Sequence, residues 1–174
     1  MVDRQEVFPT EMAAGCVWLD YHSIPQQAKE ETFAAAVGSI PYYVERCNYF
    51  WVCAPRAIHQ ELQEARHFYT WRSRGWCRLE ETTNSLCKSL KMPLLVTNEN
   101  YISTVGLLDS LSFTLGHPQR SIGNGSFTCC RFKHKREAPD GQIVDIPCDK
   151  LAIAPVLQEV YESFYTSISG RGFK

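Results

Sequence analysis

Three short apolar segments occur in the first part of the chain, and each has the pattern of a buried strand. They cover residues 16–21, 49–54 and 92–97. Apolar side chains run almost without interruption through each segment, as in strands that are buried on both faces of a sheet. Helical segments separate them, and this alternation predicts a parallel sheet with right-handed crossovers. Ligands of such sheets bind at the carboxyl ends of the strands, which Asp20, Ala54 and Thr97 would mark here.

A helix is predicted to follow the first of these segments. Ser23 begins a Ser-Ile-Pro-Gln sequence, which is typical of a capping box with proline in the first turn. Phe33, Val37 and Ile40 then fall on one apolar helical stripe. Residues 42–47 predict a further helical turn before the second strand.

Another helix is predicted to begin at Ser73. Its apolar residues recur at helical spacing, and lysines near its end suit the negative end of the helix dipole. The stretch before it, residues 56–70, is polar with scattered aromatic residues and predicts an irregular helix. The inward-facing residues of the helix after Ser73 are predicted to be Trp76, Leu79, Leu86 and Leu90.

The last third of the chain has a different pattern. Residues 127–137 and 142–146 flank a Pro-Asp-Gly turn signal at 139–141, which predicts a β-hairpin. An amphipathic helix is then predicted to close the chain. Its apolar stripe consists of Val156, Leu157, Val160, Phe164 and Ile168.

Composition limits the classes of partner. The chain has 174 residues, enough for one domain with its own core, and 18 basic against 19 acidic residues give a formal net charge of −1. Such a charge provides no field that would attract the whole molecule to nucleic acid or to an anionic membrane. The eight cysteines have the pattern of reduced, buried thiols. No apolar stretch approaches the roughly 20 residues of a membrane span, so we expect a cytoplasmic protein.

The order of these segments and one motif resemble the Toll/interleukin-1 receptor (TIR) domain family. In that family a strand ending in Asp leads through a loop to a helix and a second apolar strand. A helix that opens with a Ser-x-Trp-Cys-x-x-x-Glu type signature comes after it. Trp76, Cys77 and Glu80 match this spacing, and Ser73 is offset by one residue from the family's serine position. The resemblance covers about residues 16–98.

The resemblance implies a fold class. We expect a single α/β domain over residues 1–174, with a flavodoxin-like or TIR-like parallel sheet, flanking helices, a C-terminal β-hairpin and a closing helix. The core would lie at about residues 16–98 and the C-terminal extension at about 110–174. The family's first strand and helix should precede Cys16, where only residues 1–15 are present, so the chain is expected to be a fragment or a shortened form.

The resemblance also implies an activity and its residues. Catalytic members of the family are NAD glycohydrolases whose essential residue is the glutamate that Glu80 matches. A carboxylate near the anomeric carbon stabilises the oxocarbenium-like transition state of this cleavage. Trp76 lies one helical turn from Glu80 and would supply an aromatic wall. From its place at the predicted strand edge, Asp20 would contact the ribose or a partner loop, or else cap a helix or loop. His22 and Arg46 would lie near a diphosphate. NAD+ would be a substrate, and no cofactor is expected.

A non-catalytic function is the alternative interpretation. A Trp-Cys pair at the start of an amphipathic helix is usually part of a core, and a Glu in the next turn is usually a surface residue. The chain would then be a TIR-like interaction module that self-associates through the loop at residues 22–27 and the helix after Ser73. A nucleoside-processing enzyme of similar architecture is a more distant interpretation.

The residues near the predicted hairpin include potential metal ligands and a short basic run. The hairpin would bring Cys129, Cys130, His134 and Cys148 together, but two adjacent cysteines and a long gap to the last one do not match the spacing of structural zinc sites. No metal is therefore expected. The basic run at residues 133–136 lacks flanking aromatic platforms and is expected to be the exposed face of a hairpin strand, with no nucleic-acid partner.

Overall fold

The computed structural model describes residues 13–25, 30–60, 62–98, 101–106, 109, 121–125, 127–138 and 140–170. The chain divides into two compact units, Met1–Val37 and Gly38–Lys174. Among the described residues, no helix is both long enough and apolar enough to cross a membrane.

The first unit contains the short helix α1 (Asp20–Ser23) and nearly all of helix α2 (Glu30–Gly38). Helix α2 confirms the predicted helix, whereas the strand predicted at residues 16–21 is wrong. Val17 is 79% exposed, and no described strand pairs with this segment. The chain instead makes local bonds, because the backbone N–H of Ser23 donates to the Leu19 carbonyl and the Ser23 hydroxyl accepts from the Leu19 N–H. Gln26 of the predicted capping box lies outside the described residues.

The second unit holds the sheet and the remaining described helices. In chain order its elements are α3 (Ile40–Arg46), β1 (Trp51–Cys53), β2 (Ala57–Ile58), β3 (Ala65–Arg66), α4 (Phe68–Arg72), α5 (Gly75–Leu86), β4 (Leu94–Asn98), β5 (Tyr101–Thr104), α6 (Thr128–Arg131), β6 (Lys135–Glu137), β7 (Ile143–Asp145) and α7 (Asp149–Ser169). Helix α3 confirms the helical turn predicted at residues 42–47, and β1 and β4 confirm two of the predicted strands.

The main sheet is small and mixed. Its strand order is β1-β4-β5, with β1 parallel to β4 and β4 antiparallel to β5. The prediction of a parallel sheet therefore holds for one strand pair, in which Val52 lies opposite Leu95. Strand β5 begins so soon after β4 that only an antiparallel return fits, because a parallel connection needs a dozen or more residues.

The segment at residues 56–70 differs from its prediction. It forms a two-stranded antiparallel ribbon, β2 with β3, followed by the short helix α4, and no irregular helix is present there. Ile58, in β2, is exposed. The turn closes through Gln63, whose φ is 49°, and through the His59 N–H, which donates to the Glu64 carbonyl.

Helix α5 is the central helix of the second unit and confirms the helix predicted after Ser73. It packs against α3, α4 and α7. Leu79 is completely buried, and the side-chain amide of Asn84 donates to the Lys91 carbonyl beyond the end of the helix. Leu90 lies outside the helix and is exposed, so its predicted inward position is wrong.

The C-terminal hairpin and closing helix are confirmed. Strands β6 and β7 pair antiparallel with Arg136 opposite Val144. Helix α7 buries Val156 and Val160 of the predicted stripe, whereas Ile168 is exposed. The first part of the predicted hairpin strand is instead helix α6, which begins after the buried Phe127.

Candidate functional site

An open cleft of about 970 Å³ lies at the carboxyl end of β1. Its walls come from the segment after β1, from α4, from the first turns of α5 and from α6. This is the edge of an α/β sheet where ligands usually bind. Among the described residues that line the cleft, none is acidic. Its basic lining residues are His59, Arg66, His67, Arg74, Arg78 and Arg131.

Arg78 is the most unusual residue of the cleft because its guanidinium is buried. Its exposed fraction is 4%, and no described carboxylate forms an ion pair with it. Two backbone carbonyls accept from it, those of Ser73 and of Asn124, the latter at 3.0 Å. Its Nε is buried and has no hydrogen-bond partner among the described residues. Burial lowers the pKa of Arg78 from its ordinary value, since desolvation disfavours the charged form.

Two other arginines of the cleft already have a carboxylate partner. Glu64 accepts from Arg131 Nη1 at 2.9 Å, and Arg66 Nη2 lies 3.0 Å from a Glu64 oxygen. The hydrogen bond from Arg131 holds the pKa of Glu64 below its ordinary value and raises the pKa of Arg131. Arg66 and Arg131 share the single carboxylate of Glu64, so this group keeps one net positive charge in addition to those of Arg78 and the exposed Arg74.

The amino end of α5 also faces this region. Gly75 is the first residue of the helix, and no side chain caps it. A Cβ at Gly75 would lie 1.9 Å from Cε1 of Phe127, so only glycine allows the Phe127 ring to pack there. The first backbone N–H groups of a helix carry partial positive charge and favour anions. The cleft thus combines a buried cation, an exposed cation and a helix amino end.

The predicted catalytic helix presents a different face to its surroundings. Trp76 Nε1 donates to Asp149 Oδ2 of α7 at 3.2 Å, and Glu80 is half-buried one turn further on. Among the described residues that line the cleft, neither Trp76 nor Glu80 occurs. Glu80 follows Arg78 by two residues, which is a rotation of about 200° around a helix.

The other two predicted site residues belong to the first unit. Asp20 begins α1, and its carboxylate accepts from the N–H of Tyr21 at 2.6 Å. His22 lies on the same short helix and is exposed. Asp20 does not end a strand, as the sequence pattern had indicated, because no strand forms at residues 16–21.

Arg78 was not predicted as a site residue, although its position in the sequence indicates that it is buried. Arg78 lies within the Trp-Cys-x-x-x-Glu motif, directly between the buried residues Cys77 and Leu79. A charged residue between two core residues of an amphipathic helix indicates a buried charge. One of its two acceptors, the Asn124 carbonyl, is distant in the chain, so the pattern alone could not show what surrounds Arg78.

A second cluster of polar side chains lies near the hairpin. It consists of Cys129, Cys130, His134 and Cys148. Burial raises the pKa of Cys129 to about 12, whereas a backbone hydrogen bond at Phe127 is the main cause that lowers the pKa of Cys130 to about 7. The expectation of no metal rested on spacing along the chain, and spatial proximity now removes that objection.

Comparisons with protein-family models, with curated proteins and with solved structures found no match. The resemblance to the TIR family therefore stays a prediction that rests on the residues quoted above. The function is inferred from the geometry of the cleft.

Proposed function

We propose that the second unit binds an anionic ligand, with a phosphate or carboxylate group, in the cleft at the carboxyl end of β1. The observation that supports this most strongly is the buried guanidinium of Arg78, which has no carboxylate partner among the described residues and whose Nε has no hydrogen-bond partner among them. A buried charge without a counter-ion is costly, by several kcal/mol per ion. The carbonyls of Ser73 and Asn124 offset part of that cost but carry no net charge. An anion would supply the missing counter-charge.

The lining of the cleft favours a ligand with an aromatic or apolar part beside its anionic group. Leu62, Trp71, Phe127 and Phe132 contribute apolar surface, while Arg74 and Arg78 contribute charge. The volume lies at the upper end of the range for small-molecule sites. A nucleotide has both parts, a flat base and a phosphate chain. Nucleotides are therefore the ligand class we propose first, and the TIR resemblance suggests NAD+ among them.

Calorimetric titration with ADP, NAD+ and inorganic phosphate tests this proposal. We expect ADP to bind and Arg78→Met to weaken it at least about tenfold, because a charge-assisted hydrogen bond contributes about 1.5–3 kcal/mol. Arg74→Ala should weaken binding with the fold intact, since Arg74 is exposed. Arg136→Met, on the exposed strand β6, is the matched control. Equal affinity in the wild type and Arg78→Met would contradict the proposal, as would no binding of any of the three ligands.

Cleavage of NAD+ is a separate proposal, because Glu80 lies on another face of α5 than Arg78. If Glu80 supplies the carboxylate, purified protein releases nicotinamide from NAD+ and Glu80→Ala abolishes the release. Glu81→Ala is unsuitable as a control, because Glu81 pairs with the buried Arg72. Glu159→Ala, on the exposed surface of α7, is the better one. Binding of NAD+ without turnover, with circular dichroism unchanged, would contradict the enzymatic proposal and would be consistent with a binding module.

Self-association is the alternative function, and an exposed stripe on α7 favours it. Tyr161, Tyr165 and Ile168 are exposed at helical spacing. The helix after Ser73, predicted as an association surface, has little free area, since every residue of Gly75–Leu86 except Ser85 is at least half-buried. Part of the loop at residues 22–27 lies outside the described residues. Sedimentation velocity should show concentration-dependent dimers that Tyr165→Lys dissociates; a strict monomer would count against this function.

A further inference from the structure

We propose that Cys129, Cys130, His134 and Cys148 bind one zinc ion that fixes the hairpin to the start of α7. The ligand atoms of these four side chains all lie within 4.8 Å of one another. Three thiols and one imidazole form a ligand set that favours zinc among the common divalent metals. No other group of at least three His, Cys, Asp or Glu side chains in the described part of the chain has this geometry.

Two of the three separations between the sulfur atoms are close to those of a tetrahedral site. Cys129 Sγ lies 4.0 Å from Cys130 Sγ, and Cys130 Sγ lies 3.7 Å from Cys148 Sγ. Zinc–sulfur bonds of about 2.3 Å at tetrahedral angles place two sulfur atoms about 3.8 Å apart. These two separations therefore fit a shared metal ion, and the other ligand atoms lie within 4.8 Å.

The backbone is folded tightly so that these residues converge. Lys133 and His134 both adopt left-handed conformations, with φ of 54° and 57°, which are unfavourable for residues other than glycine. The His134 N–H donates to the Cys129 carbonyl at 2.7 Å, and the Ile146 N–H donates to the His134 carbonyl at 2.8 Å. These bonds bring the end of α6 and the segment after β7, which carries Cys148, to the same place.

Two polar groups at the cluster also fit a metal site. The His134 Nε2 is buried and has no hydrogen-bond partner among the described residues, which is rare for a ring nitrogen unless a ligand satisfies it. The backbone N–H of Asp149 donates to Cys129 Sγ at 3.3 Å. Such a donor stabilises a thiolate, the form that binds metal, and orients it as an outer-shell partner.

The site would be structural because all four positions of a tetrahedral ion are taken by protein ligands. A catalytic zinc keeps one position for water or substrate. Binding would release the thiol protons to solvent and replace them with metal–sulfur bonds. The ion would join α6, the turn after it and the start of α7. Phe127, the cap residue of α6, lines the proposed ligand cleft, so the ion would also fix one wall of that cleft.

The test is metal analysis of the full chain purified under reducing conditions from zinc-supplemented medium. We expect close to one zinc per chain by mass spectrometry of the elements, and loss of most of it in Cys148→Ser. Cys16→Ser, a substitution of an exposed cysteine outside the cluster, should keep full occupancy. Zinc content near zero in a wild-type protein that is folded by circular dichroism, and that takes up no added zinc, would overturn the proposal.

Cobalt substitution tests the ligand set even if a cysteine variant folds poorly. The cobalt-loaded wild type should show thiolate charge-transfer bands and the intense visible bands of a tetrahedral site. His134→Cys keeps four ligands and should keep metal occupancy, while its visible bands shift to lower energy as nitrogen is replaced by sulfur. A disulfide between Cys130 and Cys148 in the reduced-purified protein, seen as loss of two hydrogens by mass spectrometry, would overturn the proposal. Weak visible bands typical of six-coordinate cobalt would do the same.

Discussion

Gly75 illustrates how one missing methyl group shapes the wall of the cleft. The Phe127 ring occupies the space that a side chain at position 75 would need, and Phe127 itself is 2% exposed, so the ring has no room to move away. Glycine at the start of a helix costs conformational entropy, yet here it allows an aromatic side chain to be buried between α5 and α6. Burial of the Phe127 ring therefore outweighs the cost of placing glycine in the first turn of α5.

We expect Gly75→Ala to lower the free energy of unfolding by about 1–3 kcal/mol, the usual cost of overpacking. Gly38→Ala is the matched control, because a Cβ at Gly38 meets nothing within 4 Å. It should be neutral or slightly stabilising. Urea denaturation measures both. Equal stability of Gly75→Ala and the wild type would show that the Phe127 ring does not hold the position described here.

Arg72 offers a second prediction about a single residue. Its side chain is 2% exposed and pairs with Glu81, which is 15% exposed, and it also lies over the Phe68 ring at 4.6 Å. Removing one partner of a buried ion pair costs about 3–5 kcal/mol. Glu81→Gln should therefore destabilise the protein strongly by thermal unfolding. Glu64→Gln, which breaks the exposed pair with Arg131, should have a much smaller effect; the reverse order would contradict the burial described for Arg72.

At the scale of elements, the sequence pattern predicted correctly the long helices and the strongly apolar segments that pair with another strand. Strands β1 and β4 and helices α5 and α7 belong to this group. Residues 16–21 have the same apolar pattern as β1, but no described strand pairs with them, and pairing cannot be read from composition. The prediction for the segment that forms the β2–β3 ribbon was wrong for another reason. Its strands have two residues each, too few for any period to be visible.

The candidate sites follow the same division. Glu80 and Trp76 were predicted because they share a motif, and their roles stay a prediction, whereas the environment of Arg78 depends on Asn124, a residue far along the chain. The adjacent cysteines and the long gap to the last one argued against zinc, although the predicted hairpin would bring these side chains together. The structure supplies what spacing along the chain does not, namely that all four ligand atoms lie within 4.8 Å of one another.

Phe127 links the elements around the cleft and supports a prediction at this scale. Its ring lies 5.4 Å from the Arg78 guanidinium and 5.5 Å from Lys150 Nζ, and it contacts the start of α5. We expect Phe127→Ala to cost about 3–5 kcal/mol of stability and to weaken ADP binding as well. Phe132→Ala, at the other end of α6 and exposed, is the control for stability. If Phe127→Ala were as stable as Phe132→Ala in urea denaturation, the packing described for Phe127 between α5 and α6 would be wrong.

At the scale of the whole molecule, the proposed ligand cleft and the proposed zinc site both lie in the unit Gly38–Lys174. They share helix α6, whose first residues line the cleft and whose cysteines belong to the cluster. The molecule as a whole is nearly neutral, with a net charge of −1, so attraction of an anion depends on local charge near Arg78 rather than on a long-range field.

Removal of zinc should therefore affect both sites. We expect a chelator to lower the melting temperature of the wild type and to weaken ADP binding, because α6 loses its attachment to the start of α7. Cys148→Ser, already depleted of metal, should show no further change on chelation. Calorimetric titration before and after chelation measures the coupling. Unchanged affinity in the metal-free wild type would separate the two sites.

The central claim is that Arg78 binds an anion. A crystal structure of the protein with ADP tests this most directly. We predict phosphate oxygens within about 3 Å of the Arg78 guanidinium, with the base against the apolar wall that contains Phe127. ADP bound elsewhere, for example along the face of α5 that carries Trp76 and Glu80, with Arg78 still free of any anion, would contradict it.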